Sequence, residues 1–244
     1  MNRKLVIICL LACSALALSA CCPSLEQLRT LGSREVISKT YDLSDFDKLE
    51  IGYGFRAEVA QGEEFSVEVR VSESLFSSVE VAKSGSTLRI GLQPGRAYVQ
   101  AGRTLEATVT MPSLTGCDVS GGSRATIHGF RSDMDFDADV SGGARLEGDL
   151  ECGDVRLNAS GGATITLSGS GGDLVAEASG GATANLGSYE VRNARVNASG
   201  GGTATVNVSG RLDAEATGGG RVSYSGNPTL GIIESSGGGS VNKR

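Results

Sequence analysis

The chain contains no tryptophan, one histidine (His128), four prolines and 5% aromatic residues in 244 positions. A lone histidine removes most histidine-based triads and metal sites, which need that ring beside partners brought in by the fold. Scarce proline, without glycine at every third residue, excludes a collagen helix. Disorder is also a poor description, because hydrophobic residues reach 39% and charged residues only 20%, enough apolar surface to build a core. Positive charge is in short supply as well. The 22 Lys+Arg stand against 28 Asp+Glu, a net charge of −6, and an acidic surface opposes binding to a phosphate backbone. Nucleic acid is not an expected partner.

Glycine is the residue in excess, and 28 of the 36 glycines fall from Gly116 onward. There one unit returns seven times: Asp118-Val-Ser-Gly-Gly, Asp139-Val-Ser-Gly-Gly, Asn158-Ala-Ser-Gly-Gly, Glu177-Ala-Ser-Gly-Gly, Asn197-Ala-Ser-Gly-Gly, Glu215-Ala-Thr-Gly-Gly and Glu234-Ser-Ser-Gly-Gly. A period near 19 residues indicates a solenoid. Apolar residues one and three positions before the hydroxyl, and five after it, alternate with polar ones, which selects strands over helices. Three columns are thereby expected to point inward: Val119 to Ser235, Cys117 to Ile233, and Ala125 to Val241. Gly-Gly lies between two strands, where a sharp corner requires positive φ. The expected fold is all-β: a right-handed parallel β-helix with coils of about 19 residues and two or three short strands per coil. Leucine-rich repeats are the rival, but their leucine spacing and asparagine are absent.

Residues 48–115 carry longer alternating runs, such as Phe65/Val67/Val69/Val71, broken at Gln61-Gly62, Ser84-Gly85 and Pro94-Gly95. They are expected to form a β-rich N-terminal section covering the first coil, followed by the β-helix over 116–244. Before them, residues 1–20 have the form of a secretory signal. Arg3 and Lys4 precede an apolar stretch from Leu5 to Leu18, too short to span a bilayer comfortably. The junction Leu18-Ser19-Ala20-Cys21 resembles a bacterial lipobox, which makes Cys21 the expected lipidation site and residues 21–47 a lipid-anchored tether. Cleavage leaves the chain at a formal charge of −8, so attachment to the membrane must come from acyl chains rather than from anionic headgroups. Of the other cysteines, Cys117 and Cys152 are expected to lie about two coils apart and to stay unpaired.

The stretches Phe46-Asp47-Lys48-Leu49, Phe65-Ser66-Val67-Glu68-Val69, Thr87-Leu88-Arg89-Ile90 and Met111-Pro112-Ser113-Leu114, followed by serial Ser-Gly-Gly units, resemble the autotransporter-adhesin head GIN domain family. The resemblance covers about residues 45–240. It implies a β-helical extracytoplasmic bacterial protein and brings no catalytic motif with it.

Three further sets of residues are candidates for a site. Acids and amides two positions before each hydroxyl, Asp118 to Glu234, form a column that a cation could use, but a solvated outer face is the favoured explanation, since Asn158 and Asn197 relieve like-charge repulsion in the stack. The Thr164/Thr166 and Thr203/Thr205 pairs resemble an ice-binding face, interrupted by Arg145/Glu147 and Arg221/Ser223 on flanking coils. Asp133, Asp135, Asp137 and Asp139 have the spacing of one strand face and are the best acids for a polysaccharide lyase or hydrolase. The favoured reading is a non-enzymatic, lipid-anchored envelope protein, of the outer membrane, with an adhesin-like head. It has no cofactor, metal or catalytic residues, its partners are the membrane and a protein or glycan ligand, and the carbohydrate-active enzyme is the alternative. At the C-terminus, nothing apolar follows Val241 within Asn242-Lys243-Arg244, so weak self-association through that edge is expected.

Overall fold

Alternation of apolar and polar residues produces strands throughout the computed structural model, which describes residues 35–95 and 103–244. The expected signal peptide and Cys21 lie outside the described residues. In chain order the strands are β1 (Val36–Tyr41), β2 (Lys48–Ile51), β3 (Arg56–Gln61), β4 (Ser66–Ser72), β5 (Val79–Ser84), β6 (Thr87–Leu92) and β7 (Leu105–Met111). Next come β8 (Gly116–Val119), β9 (Arg124–Arg131), β10 (Phe136–Val140), β11 (Arg145–Glu151), β12 (Val155–Ala159), β13 (Thr164–Gly171) and β14 (Leu174–Ala178). The last are β15 (Thr183–Val191), β16 (Ala194–Ser199), β17 (Thr203–Val208), β18 (Arg211–Thr217), β19 (Arg221–Ser225), β20 (Thr229–Ser235) and β21 (Ser240–Lys243). A single helical turn, α1 (Glu73–Phe76), separates β4 from β5.

Two sheets face each other across one core. One runs β1-β4-β7-β3-β9-β11-β13-β15-β17-β19-β21 and the other β20-β18-β16-β14-β12-β10-β8-β2-β6-β5. From β8 onward each coil gives one strand to each sheet, so the fold is a parallel β-solenoid with two strands per coil. The columns read from the sequence are its rungs. Val119 stands opposite Val140, then Ala159, Ala178, Ala198, Ala216 and Ser235. Across the core, Ala125, Leu146, Ile165, Ala184, Ala204 and Val222 follow one another in register, and all are fully buried. Burying a Leu, Ile or Val side chain contributes about 1.5–3 kcal/mol, and the alanines keep the two sheets close.

The backbone ladder continues round the Ser-Gly-Gly corner: Ser141 N donates to Val119 O at 3.0 Å, Ser160 N to Val140 O at 3.0 Å and Gly162 N to Gly142 O at 2.7 Å. The first glycine of every unit, from Gly121 to Gly237, has φ between 57° and 71°. These glycines stack, since a β-carbon on Gly161 would meet Gly142 and one on Gly180 would meet Gly161. The bottom of the stack is not a glycine. A β-carbon on Gly121 would lie 3.3 Å from the backbone nitrogen of Tyr53, and Tyr53 itself has φ of 60°. A side chain in this left-handed region costs about 1–2 kcal/mol.

Tyr53 marks a coil that the repeat does not reveal. β2 and β3 pair in parallel with β8 and β9, with Ile51 opposite Val119 and Ala57 opposite Ala125. The solenoid therefore starts before residue 116, with Gly52-Tyr53-Gly54 in place of Ser-Gly-Gly. After β3 the chain turns back through β4, α1 and β5, then returns as β6 and β7, stacked on the outer side of β2 and β3. β5 lies antiparallel on β6, and β4 on β7, sealing this end. Within the segment read as tether, β1 forms a further antiparallel strand on β4. At the opposite end β20 and β21 are the outermost strands, and Leu230, Ile232 and Ile233 are 49%, 59% and 39% exposed.

Candidate binding faces

Side chains that alternate out of the core form columns along both outer faces. On the sheet ending in β21, one column runs Arg56, Arg124, Arg145, Thr164, Thr183, Thr203 and Arg221. The next runs Glu58, Thr126, Glu147, Thr166, Asn185, Thr205 and Ser223. The Thr-x-Thr patch is thus three coils deep, with charged or mixed coils on both flanks as the sequence indicated. It is not flat. Register shifts beside Gly148 and between Leu186 and Glu190 open a groove of about 580 Å³ lined by Thr126, Glu147, Thr166, Asn185 and Thr205, among others. Thr205 is buried in it. His128, exposed on β9, sits at the same face with Nε2 2.7 Å from Glu58 Oε2.

The other face carries the acidic column. Arg89, Glu50, Asp118, Asp139, Asn158, Glu177, Asn197, Glu215 and Glu234 succeed one another in register. Like charges on neighbouring rungs oppose one another. Asp118 shows this: partial burial, then the charges of Asp139 and Glu50, raise its carboxyl above the usual value. Asn158 and Asn197 interrupt the series, Arg89 at its end places Nη2 2.8 Å from Glu50 Oε1, and in the neighbouring column Arg156 Nη1 lies 3.4 Å from Asp137 Oδ1. Among the described residues, no three His, Cys, Asp or Glu side chains gather as they would around a metal ion.

The four aspartates expected on one strand face are divided. β10 begins only at Phe136, so Asp137 and Asp139 point outward while Asp133 and Asp135 belong to the preceding turn. Asp135 Oδ1 accepts the backbone N–H of Asp154 at 2.9 Å, and Asp154 Oδ1 accepts that of Asp173 at 2.8 Å. Asn193 continues the ladder, donating to Asp173 Oδ1 at 3.0 Å and accepting from Arg211 N at 2.9 Å. These side chains hold the return corner together, each satisfying a backbone donor of the next coil or capping its side chain. Its signal was present: Asp or Asn directly before the first inward residue, as in Asp135-Phe136, Asp154-Val155, Asp173-Leu174 and Asn193-Ala194.

Cys117 and Cys152 are free thiols. Cys117 is a core residue whose pKa is pushed up to about 12 by burial and the adjacent Asp118 charge. Cys152 lies 3.1 Å from the hydroxyl of buried Tyr189, and burial raises its thiol too. Both are poor nucleophiles.

The family profile described as "Putative auto-transporter adhesin, head GIN domain" matches residues 45–228. The chain belongs to that family. A Bacteroides fragilis structure described as a "putative adhesin" is similar at 19% identity and a TM-score of 0.81, covering 87% of this chain and 98% of that one. A Parabacteroides distasonis structure described as a "putative lipid binding protein" is similar at 18% identity and a TM-score of 0.69, over 87% and 98% of the two chains. A Parabacteroides merdae "putative adhesin" gives 17% identity and 0.62, over 87% and 98%. At these identities the likeness establishes a shared fold. No curated protein matches the chain.

Proposed function

We propose that this family member is a lipid-anchored, non-enzymatic protein of the bacterial outer membrane that acts in adhesion or envelope interaction through its outer faces. The observation that supports this reading is the layout of polar side chains. They repeat along the solenoid at one rung every 4.8 Å or so, while the acids best suited to hydrolysis separate into a turn and a strand. Repetition suits an extended partner. Anchoring rests on Cys21, because a mature chain of charge −8 gains nothing from anionic headgroups. Protease treatment of intact cells, run beside a Cys21→Ser variant, tests both parts. The wild-type protein should pellet with membranes and be degraded on intact cells, and the variant should be released. Palmitate labelling and membrane retention of the variant would overturn the anchor; a wild-type protein cut only after lysis would overturn surface adhesion.

Weak pairing of the final coil with that of a second copy is also proposed. Leu230, Ile232 and Ile233 are exposed there, and the two sheet edges differ in charge, with Glu234 on β20 and Lys243 on β21. A two-fold arrangement that sets β20 against the second copy's β21 brings opposite charges together. Sedimentation should show a concentration-dependent dimer that Ile232→Lys abolishes. A wild-type chain that stays monomeric at high concentration rules the pairing out.

A further inference from the structure

We infer that a recess beside Tyr53, at the sealed end of the acidic face, binds a pyranose ring of a neutral or amino sugar. Seven of the eight stacked corner positions are glycine, as the left-handed backbone favours, and Tyr53 alone carries a side chain there. A residue that breaks a repeat's rule against its conformational preference points to a gain elsewhere. What it does is visible in its surroundings. The Tyr53 ring lies over Gly91 of β6, where an added β-carbon would stand 3.1 Å from Cδ2, and the residue as a whole remains 36% exposed. It forms one side of a recess of about 340 Å³, within the size range of small-ligand sites. Gly52 and Gly91 leave the floor to the backbone, the Arg89–Glu50 ion pair at 2.8 Å forms another side, and Glu80 adds a second carboxylate.

An aromatic surface beside a guanidinium and two carboxylates matches a sugar ring. The apolar C–H face packs on the phenol ring, and hydroxyls donate to carboxylate oxygens or accept from Arg89 in charge-assisted hydrogen bonds. Two carboxylates against one guanidinium disfavour uronic and sialic acids and favour neutral rings or a protonated amine. The acidic column continues from Glu50 to Asp118 and Asp139, so further units of a chain would meet the same sign of charge. This assignment deepens the adhesin reading and rests on it for its biological setting.

Saturation-transfer NMR on the purified mature chain tests the site with oligosaccharides of N-acetylglucosamine, glucosamine, galactose and mannose, and with trigalacturonate as the acidic comparison. At least one neutral or amino sugar should bind, and trigalacturonate should not. Tyr53→Gly, which restores the glycine of the stack, should weaken binding about tenfold or more while the melting temperature stays within about 3 °C of wild type. Gly52→Val should abolish binding by filling the floor; its β-carbon would be 3.5 Å from Ser120 Oγ and its φ is not left-handed. Absence of binding by every neutral and amino sugar, or wild-type affinity in both variants, would overturn the site. The measurement needs no cells, so its failure leaves the protease result standing, and protection from protease leaves sugar binding standing.

Discussion

Adding one methyl group at Gly220 is expected to cost more than about 4 kcal/mol of stability or to prevent folding. A β-carbon there would lie 2.1 Å from Ala198 O, 2.6 Å from Ala198 C and 3.0 Å from Thr217 O. All three atoms are backbone, and Ala198 belongs to the neighbouring coil, so relief requires prising two rungs of the ladder apart. Gly202 and Gly239 are in the same position, 2.2 Å from Ala178 O and 2.1 Å from Ala216 O. Earlier corners carry alanine at the equivalent place, Ala144, Ala163 and Ala182, all buried without difficulty. Corners at 199–202, 217–220 and 236–239 use two successive left-handed residues, such as Gly218 and Gly219, and those at 141–144, 160–163 and 179–182 use one. The corner at 120–123 also uses two, Gly121 and Gly122, and still carries buried Ser123 at the equivalent place, so the cost at Gly220 follows from its approach to Ala198 O rather than from the corner type alone. Gly122→Ala provides the contrast: its φ is 78° and an added β-carbon meets nothing within 4 Å, so only the conformational cost of about 1–2 kcal/mol applies. Chemical denaturation of the two variants measures the gap. Equal losses would mean that the close approach of Gly220 to Ala198 does not exist in solution.

The seven later coils were legible because their signal is a repeat. Each Ser-Gly-Gly fixes a corner, and counting from its hydroxyl places Val119, Cys117 and Ala125 with their counterparts in the core. The first coil was not legible by that rule, since Gly52-Tyr53-Gly54 lacks both the serine and the first glycine. Its membership in the stack follows from pairing with β8 and β9, which alternation alone cannot specify. β1 escaped for a related reason. Val36–Tyr41 is six residues long, is mostly exposed and gains its place by pairing with β4. The aspartate spacing misleads because its period of two continues through Ser132–Asp135, where the chain is turning and β10 has not begun. Side-chain ladders at that corner depend on which residue stands above which, and that becomes fixed only when coil lengths are known. The Tyr53 recess was equally hidden, being built by strands on both sides of a coil that the repeat did not disclose.

In-register stacking underlies the core, the outer columns and the candidate sites alike, and a pair of engineered thiols tests it most directly. Thr164 and Thr183 are successive rungs on β13 and β15, about 4.8 Å apart and inside the Cα separation that a disulfide spans. Asn185 shares the face of Thr183 but stands two residues further along, about 8 Å from Thr164 by the same spacings. Under mild oxidation Thr164→Cys with Thr183→Cys should form a disulfide in nearly every molecule, and Thr164→Cys with Asn185→Cys should not. Peptide mapping separates the new bridge from Cys117 and Cys152. A 164–183 disulfide without a 164–185 disulfide is the predicted result; a 164–185 bridge, or no bridge in either protein, would contradict the register on which the fold and its faces depend.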